Sequence, residues 1–444
     1  MLKNPMKHYK LVVLFLLCLP LSGLPLLGED VSMFRGDAQH SGEYHAVGVP
    51  QLHGLKWKFH THGQVISSPT IAGNTLYVGS SDHLLYALDR DAGTVKWKFK
   101  TDGRVASSVA VGNGVAYFGS YDGNFYAVNT ADGKLKWKFQ TGGERRFAAK
   151  HLHGVLPVAE TMPDPFDVYL SSPVVVGGSV YFGSGDGNIY ALDAATGTQK
   201  WKFATGDVVH ASPAVAEGTV FVGSWDSNFY ALDAASGKEK WRFKTGEDHD
   251  IHNQEGLQAS PIVSEGVVYV GCRDSNFYAI DATSGQKKWA FNNKGSWVVG
   301  SAAAQNGKIY AATSDSGLLY AFEAKSGTPV QLMSSKKWPM FASPAIAGSM
   351  LYIGSNEGKL FAIDLGSQKQ AWVFSTEGSQ KNGAAYTKAD GTPNYEAAFA
   401  GDFYDDMVYG VQSMMSVGAI LSSPVVVENV VYFGSTDGNV YAVN

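Results

Sequence analysis

The chain has 444 residues, a formal net charge of −5, 45% hydrophobic residues and 12% aromatic residues. That is apolar material for one large fold or roughly two to three ordinary domains, and the mild acidity gives no reason to expect a nucleic-acid partner. The 51 glycines, with almost no 3.6-residue apolar period, point to an all-β chain with many turns.

Lys3, Lys7 and Lys10 precede the apolar run Leu11–Leu19, which Pro20 and Pro25 close. This is the layout of a secretory signal peptide over residues 1–28, too short and too broken for a membrane span. Cleavage after Gly23 or Gly28 is the first reading. Neither site has a small residue at −3, so an uncleaved anchor stays open. Cys18 invites lipidation, but Leu17 stands where that signal needs a small residue. Removing residues 1–28 takes the net charge from −5 to −8 and leaves Cys272 as the one cysteine, so no intramolecular disulfide forms. The export signal therefore carries the compartment argument, periplasmic or secreted, and the absence of an N-x-[ST] sequon fits a bacterial envelope. Residues 29–53 form a lead-in.

From residue 54 to 444 one unit repeats, seen most clearly in Tyr181–Phe203, YFGSGDGNIYALDAATGTQKWKF. It reads as three strands separated by turns at Gly185–Asn188 and Asp193–Gly197, where glycine supplies positive φ. Ser172-Pro173-Val174 opens a fourth strand upstream, with proline only at its start. Four antiparallel strands in about 40 residues make a propeller blade. The inner strands of successive copies open at Ser68, Ser108, Ser172, Ser212, Ser260, Ser301, Ser343 and Ser423, giving eight blades. The last copy ends at Asn444, before its outer strand, and the missing strand lies at Gly54–Phe59. The expected fold is an all-β, eight-bladed propeller of four-stranded antiparallel blades, its ring closed by an N-terminal strand that completes the last blade.

Outer strands alternate Lys-Trp-Lys-Phe, as at Lys200–Phe203; blade six has degenerated there to Gln331 and Met333. The aromatic face should dock between blades, while exposed lysines guard the free edge.

Three insertions interrupt the repeat, at 140–170, 244–258 and 375–421, each following an outer strand and hence all on one face. Insertions on one face of a repeat ring mark a binding face. Arg104, His210, Gln258 and Trp297 immediately precede inner strands and should ring the mouth of the central channel. With Arg145, whose Glu144-Arg145-Arg146 turn could clamp a carboxylate or phosphate, they are the candidate pocket residues; packing is the alternative for each. His151 with His153, and His249 with His252, Asp248 and Asp250, match no compact metal signature. Asp402, Asp405 and Asp406 offer oxygens without a calcium-loop pattern. Cys272 reads as a small buried residue and Arg35-Gly36-Asp37 as a chance adhesion tripeptide. No nucleophile elbow, phosphate loop, metalloprotease or haem motif occurs, so catalytic residues are unassigned.

The pattern Tyr-x-Gly-Ser-x-Asp-Gly-x-x-Tyr-Ala-x-Asp-x-x-x-Gly-x-x-x-Trp-x-Phe resembles the pyrroloquinoline quinone (PQQ) repeat family over residues 54–444 outside the insertions. That family holds quinoprotein alcohol and glucose dehydrogenases and a non-enzymatic lipoprotein of the outer-membrane β-barrel assembly machinery. The resemblance implies two functions. In the leading one, this is an exported, monomeric binding or scaffold module whose loop face takes an envelope protein or a small-molecule ligand, with no cofactor assigned. In the alternative it is a PQQ- and calcium-dependent dehydrogenase of alcohols or sugars, with the cofactor at the channel mouth. The dehydrogenases carry an adjacent cysteine pair and Glu, Asn and Asp around calcium; this chain lacks the pair, and those ligands find no counterparts in its loops. Met33–Gly42, Met-Phe-Arg-Gly-Asp-x-x-His-Ser-Gly, is similar to the start of a further group of exported PQQ-like propellers.

Overall fold

The computed structural model describes residues 1, 32–246 and 256–444. The signal segment with Cys18, and the Asp248–His252 cluster, lie outside the described residues.

In blade three the strands Val174–Val176, Ser179–Gly183, Asn188–Asp193 and Gln199–Ala204 pair in that order, all antiparallel. Seven further sheets repeat this order around the ring. Blade six keeps its outer strand, Pro329–Ser334, although Gln331 and Met333 replace the aromatic pair. The eighth blade is completed by Leu55–His60, which pairs antiparallel with Asn439–Val443. His53 and Gly54 add backbone bonds to the Asn444 carbonyl, so the first residues of the ring hold the last.

The outer-strand tryptophans are the joints between blades. Trp137 lies over Gly197 of the next blade and donates its indole N–H to the Ala194 carbonyl at 3.2 Å. Gly197 has φ +74°, and a Cβ there would sit 2.6 Å from the ring. Turn geometry and docking therefore demand glycine together. Toward the axis a second joint recurs at six of the eight blade junctions: the N–H of an inner-strand serine reaches the hydroxyl of the next, as in Ser68 to Ser108 and Ser423 to Ser68, at 3.0 and 2.9 Å.

The lead-in is a plug. Carbonyls of Ser32, Ala38, Gln39, Ser41 and Gly42 accept the inner-strand N–H groups of Val111, Val215, Val263, Ala304 and Ile346, in blades two, four, five, six and seven. The Arg35 guanidinium, 1% exposed, donates to the carbonyls of Ala302 and Pro344. His40, also buried, meets the Pro261 carbonyl at 3.1 Å. Arg35-Gly36-Asp37 is thus an interior element, closing the face opposite the insertions.

The third insertion adds helices to the all-β frame: α1 (Glu377–Tyr386), α2 (Tyr395–Ala398) and α3 (Tyr404–Met415). Met407, Val411, Met414 and Met415 are buried at a helical spacing, Thr376 caps the Ser379 N–H at 3.2 Å, and Asp406 accepts the Phe403 N–H at 3.3 Å. Asp405 and Asp406 occupy the first turn of α3, where the helix dipole favours negative charge. Among the described residues no helix is long and apolar enough to cross a membrane.

Candidate functional site

Strand polarity puts the Gly-Ser-x-Asp-Gly turns and the connections between blades on one face. The first insertion folds across that face. A two-residue pair, Ala148–Ala149 with Met162–Pro163, shapes it, and the segment Asp164–Leu170 then crosses the channel mouth. The Tyr169 hydroxyl lies 3.3 Å from the carbonyls of both Phe341 and Leu421. Between this roof and Phe34 of the plug only a space of about 40 Å³ is left, ringed by the inner-strand serines.

Two buried charge pairs fix the crossing segment. Asp164 receives Arg273 Nη1 at 2.5 Å and the Phe166 N–H at 2.8 Å, with His153 Nε2 at 3.3 Å. The Arg273 guanidinium is sandwiched between Trp225 and Trp297, its central carbon 4.4 and 4.1 Å from the ring centres. Burial alone would raise the Asp164 carboxyl; the Arg273 charge and His153 outweigh it and hold it well below the usual carboxylate range. Asp167 accepts His210 Nδ1 at 2.8 Å and the Phe147 N–H at 2.7 Å. Burial would lower the His210 imidazole, but the Asp167 charge and hydrogen bond, with Glu144 at 3.5 Å, carry it up to about 10.

The candidate pocket residues are therefore placed as follows. His210 faces Asp167. Gln258 accepts Arg273 Nε at 3.0 Å and donates to the Phe166 carbonyl at 2.9 Å. Trp297 covers Arg273. Arg104 lies 4.5 Å over the Tyr121 ring. These four stand at the mouth, and His210, Gln258 and Trp297 all converge on the crossing segment. Arg145 is apart from them, half-exposed and paired with Asp207 at 2.8 Å. Cys272 is fully buried and burial pushes its thiol up, as expected of a packing residue.

The first and third insertions are joined to each other. Leu156 donates its N–H to the Asp402 carbonyl at 2.8 Å and accepts from the Tyr404 N–H at 3.0 Å, while the Tyr404 hydroxyl reaches the Pro163 carbonyl at 2.7 Å. Between them and the top loops of blades five to seven opens a pocket of about 570 Å³. Phe166, Trp297, Phe341, Tyr395 and Phe399 supply rings to its lining, Val411, Met414 and Met415 of α3 supply aliphatic wall, and His151, His153, Asp315 and Asn356 supply polarity.

Asp164, Asp167, Arg273, Asp315 and Asn356 were not among the sequence candidates. A signal existed for two of them: the variable residue of each Gly-Ser-x-Asp-Gly turn faces the mouth, and Arg273 and Asn356 fill it in blades five and seven.

A PQQ–calcium pair at the mouth needs cations aimed at quinone carboxylates and oxygen donors free for the metal. Here Arg273 is spent on Asp164, His210 on Asp167 and Gln258 on Arg273, and Tyr169 occupies the axis. Among the described residues no group of three or more His, Cys, Asp or Glu could hold a metal ion. The donor set at the mouth does not fit that cofactor.

Among solved structures the chain is similar to BamB from Moraxella catarrhalis (15% identity, TM-score 0.64, covering 88% of this chain and 99% of that one). It is also similar to the quinohemoprotein alcohol dehydrogenase of Comamonas testosteroni (16%, 0.65, 93% and 80%) and to the computationally designed Ika8 protein (13%, 0.61, 90% and 99%). One ring serves an assembly factor, a dehydrogenase and a designed chain, so these likenesses show the fold alone. No curated protein sequence matches the chain. The sequence profile described as outer membrane protein assembly factor BamB matches residues 53–161 and 160–374. With its repeat, its ring and that profile over more than half its length, the chain belongs to the BamB family of PQQ-type repeat propellers.

Proposed function

We propose that this protein is an exported binding or scaffold module of the cell envelope whose recognition surface is the insertion-bearing face. One observation carries the reading: five large apolar side chains left exposed, Leu156, Val158, Tyr395, Phe403 and Tyr409, belong to the two joined insertions. Phe403 and Tyr409 are 58% and 65% exposed, at and within α3. Leu55, Val95, Leu135, Val330 and Val373 are strung singly along outer strands, Val176 ends an inner strand and Val47 lies in the lead-in. A clustered apolar patch beside a formed pocket marks a surface kept for a partner. The buried pairs beneath it, Asp164–Arg273 and Asp167–His210, hold the surface rigid, which lowers the entropy lost on binding. The matching family profile bears the name of an outer membrane protein assembly factor, and a role in assembling other envelope proteins is in keeping with such a face.

The test is capture from the native envelope with the full-length protein carrying Phe403→Asp and Tyr409→Asp. Both positions are exposed, so the ring should keep its melting temperature while capture falls to background. Capture at the wild-type level by the folded double variant would overturn the reading. The dehydrogenase alternative has no observation at the channel mouth in its favour.

A further inference from the structure

In six blades the aspartate of the Gly-Ser-x-Asp turn accepts the hydroxyl of the tyrosine four residues later. The pairs are Asp82–Tyr86, Asp122–Tyr126, Asp186–Tyr190, Asp226–Tyr230, Asp274–Tyr278 and Asp437–Tyr441. Blade seven has Glu357 and Phe361 instead, and Glu357 pairs with Lys359. Blade six differs in another way. Its turn, Thr313-Ser314-Asp315-Ser316-Gly317, is one residue longer: Thr313 takes the Leu318 carbonyl five residues on, where Ser80 takes that of Leu84 four residues on. Tyr320 is thereby moved out of register and makes no such bond. Asp315 keeps a hydrogen bond from Ser314 Oγ at 3.0 Å and is otherwise released into the 570 Å³ pocket that it lines and from which it is accessible.

The walls around it are aromatic and set at angles to one another. Phe166 meets Trp297 at 78° and Phe341 at 77°, with centroids 6.1 and 6.4 Å apart; Tyr395 meets Phe399 at 59° and 6.1 Å. Among the described residues no lysine or arginine lines this pocket. Trp297 Nε1 and Asn356 Oδ1, on two of its lining residues, have no protein hydrogen-bond partner among the described residues. An aromatic enclosure with one carboxylate and no lysine or arginine of its own is complementary to a positive charge on an apolar body.

We propose that this pocket binds a compact organic ammonium ion, its alkyl or aryl body between the rings of Phe166, Trp297, Phe341, Tyr395 and Phe399 and its charged nitrogen at Asp315. The assignment rests on the insertion-bearing face being a binding face and names the ligand class of its pocket. The charged and titratable groups facing Asp315 are His153 and His151 of the first insertion, Arg273 of blade five and Tyr395 of α2. Arg273 is neutralised by Asp164 and lies behind the Trp297 ring. The protein walls that enclose the pocket raise the Asp315 carboxyl above its ordinary value by desolvation, with Ser314, Arg273 and His153 offsetting part of the rise. A bound cation favours the ionised form, so affinity climbs with pH through that raised value and binding on its acid side releases a proton.

The probes are benzyltrimethylammonium and its uncharged isostere neopentylbenzene, followed by Trp fluorescence and calorimetry on the full-length protein. Binding of the cation about tenfold or more tighter than the isostere is expected. Asp315→Asn should remove that preference and the pH dependence while leaving neopentylbenzene binding and melting temperature unchanged. Equal affinity for the two probes, or an undiminished preference in Asp315→Asn, would overturn the ammonium assignment and leave the binding face standing. Binding of neither probe at millimolar concentration would also overturn it; the binding face is then judged separately by envelope capture with the Phe403 and Tyr409 variants.

Discussion

Asp164 of the first insertion and Arg273 of blade five form an ion pair at 2.5 Å with 0% and 1% of their side chains exposed. It joins the segment that closes the channel to the turn of a blade more than a hundred residues away in sequence, and it sets the floor beneath the pocket.

Breaking that pair should be among the most damaging single changes on this face. Arg273→Ala leaves a buried carboxylate without its cation and removes the filling between Trp225 and Trp297. A loss of about 3–5 kcal/mol is expected in chemical denaturation. Because the pair's attraction is set against its own desolvation, Asp164→Leu with Arg273→Met should recover much of the loss. Strict additivity of the two single changes would contradict the pairing.

Two buried histidines should shape the stability profile with opposite signs. Burial holds the His40 imidazole down to about 4, with the Asp37 charge and the Pro261 carbonyl offsetting only part. Its folded value lies below the unfolded 6.5, so its contribution is complete above that pH and is lost as pH falls toward 4. His210, raised to about 10, contributes fully below 6.5 and loses that contribution as pH rises through 10. Thermal melts of His40→Gln should flatten the acid limb and those of His210→Gln the alkaline limb. Unchanged limbs in both variants would contradict these environments.

The plug should be intolerant at Gly42. Its φ is +67°, and a Cβ would lie 2.0 Å from Arg35 Nη2 and 2.6 Å from Cζ. Gly42→Ala should cost about 1–3 kcal/mol. Arg35→Ala, which strips the carbonyls of Ala302 and Pro344 of their donor, should cost a similar amount. Since both changes act through the same guanidinium, the double variant should lose less than the sum; a full sum in denaturation would place Gly42 outside the Arg35 contact.

The ring was legible because its determinants are local and repeated. Inner-strand serines recur in eight registers of one pattern, the Trp/Phe pair recurs in seven of them, and the loan of Gly54–Phe59 completes the count. The mouth residues His210, Gln258 and Trp297 were found from position alone, as the residues that precede inner strands. Their partners were hidden for a physical reason: Asp164 and Asp167 sit in a non-repeating insertion, and nothing in sequence spacing brings them to Arg273 or His210. The plug was missed in the same way, since Arg35 and His40 act on carbonyls of blades far along the chain. Helix α3 did leave a trace in Met407, Val411 and Met414, overridden by the β character of everything around it. Asp315 was visible as a one-residue lengthening of a single turn, which acquires meaning only once the tyrosine bonds of the other blades are known.

The most direct test of the account places a photoreactive amino acid at Tyr409 on the insertion face, and, in separate variants, at Val47 on the plug side and Val330 on the outer strand of blade six. All three positions are exposed. Irradiation of the protein in intact cells should yield a discrete crosslinked product from Tyr409 and none from Val47 or Val330. Crosslinking from Val47 or Val330 with none from Tyr409 would contradict the assignment of the insertion-bearing face as the binding surface.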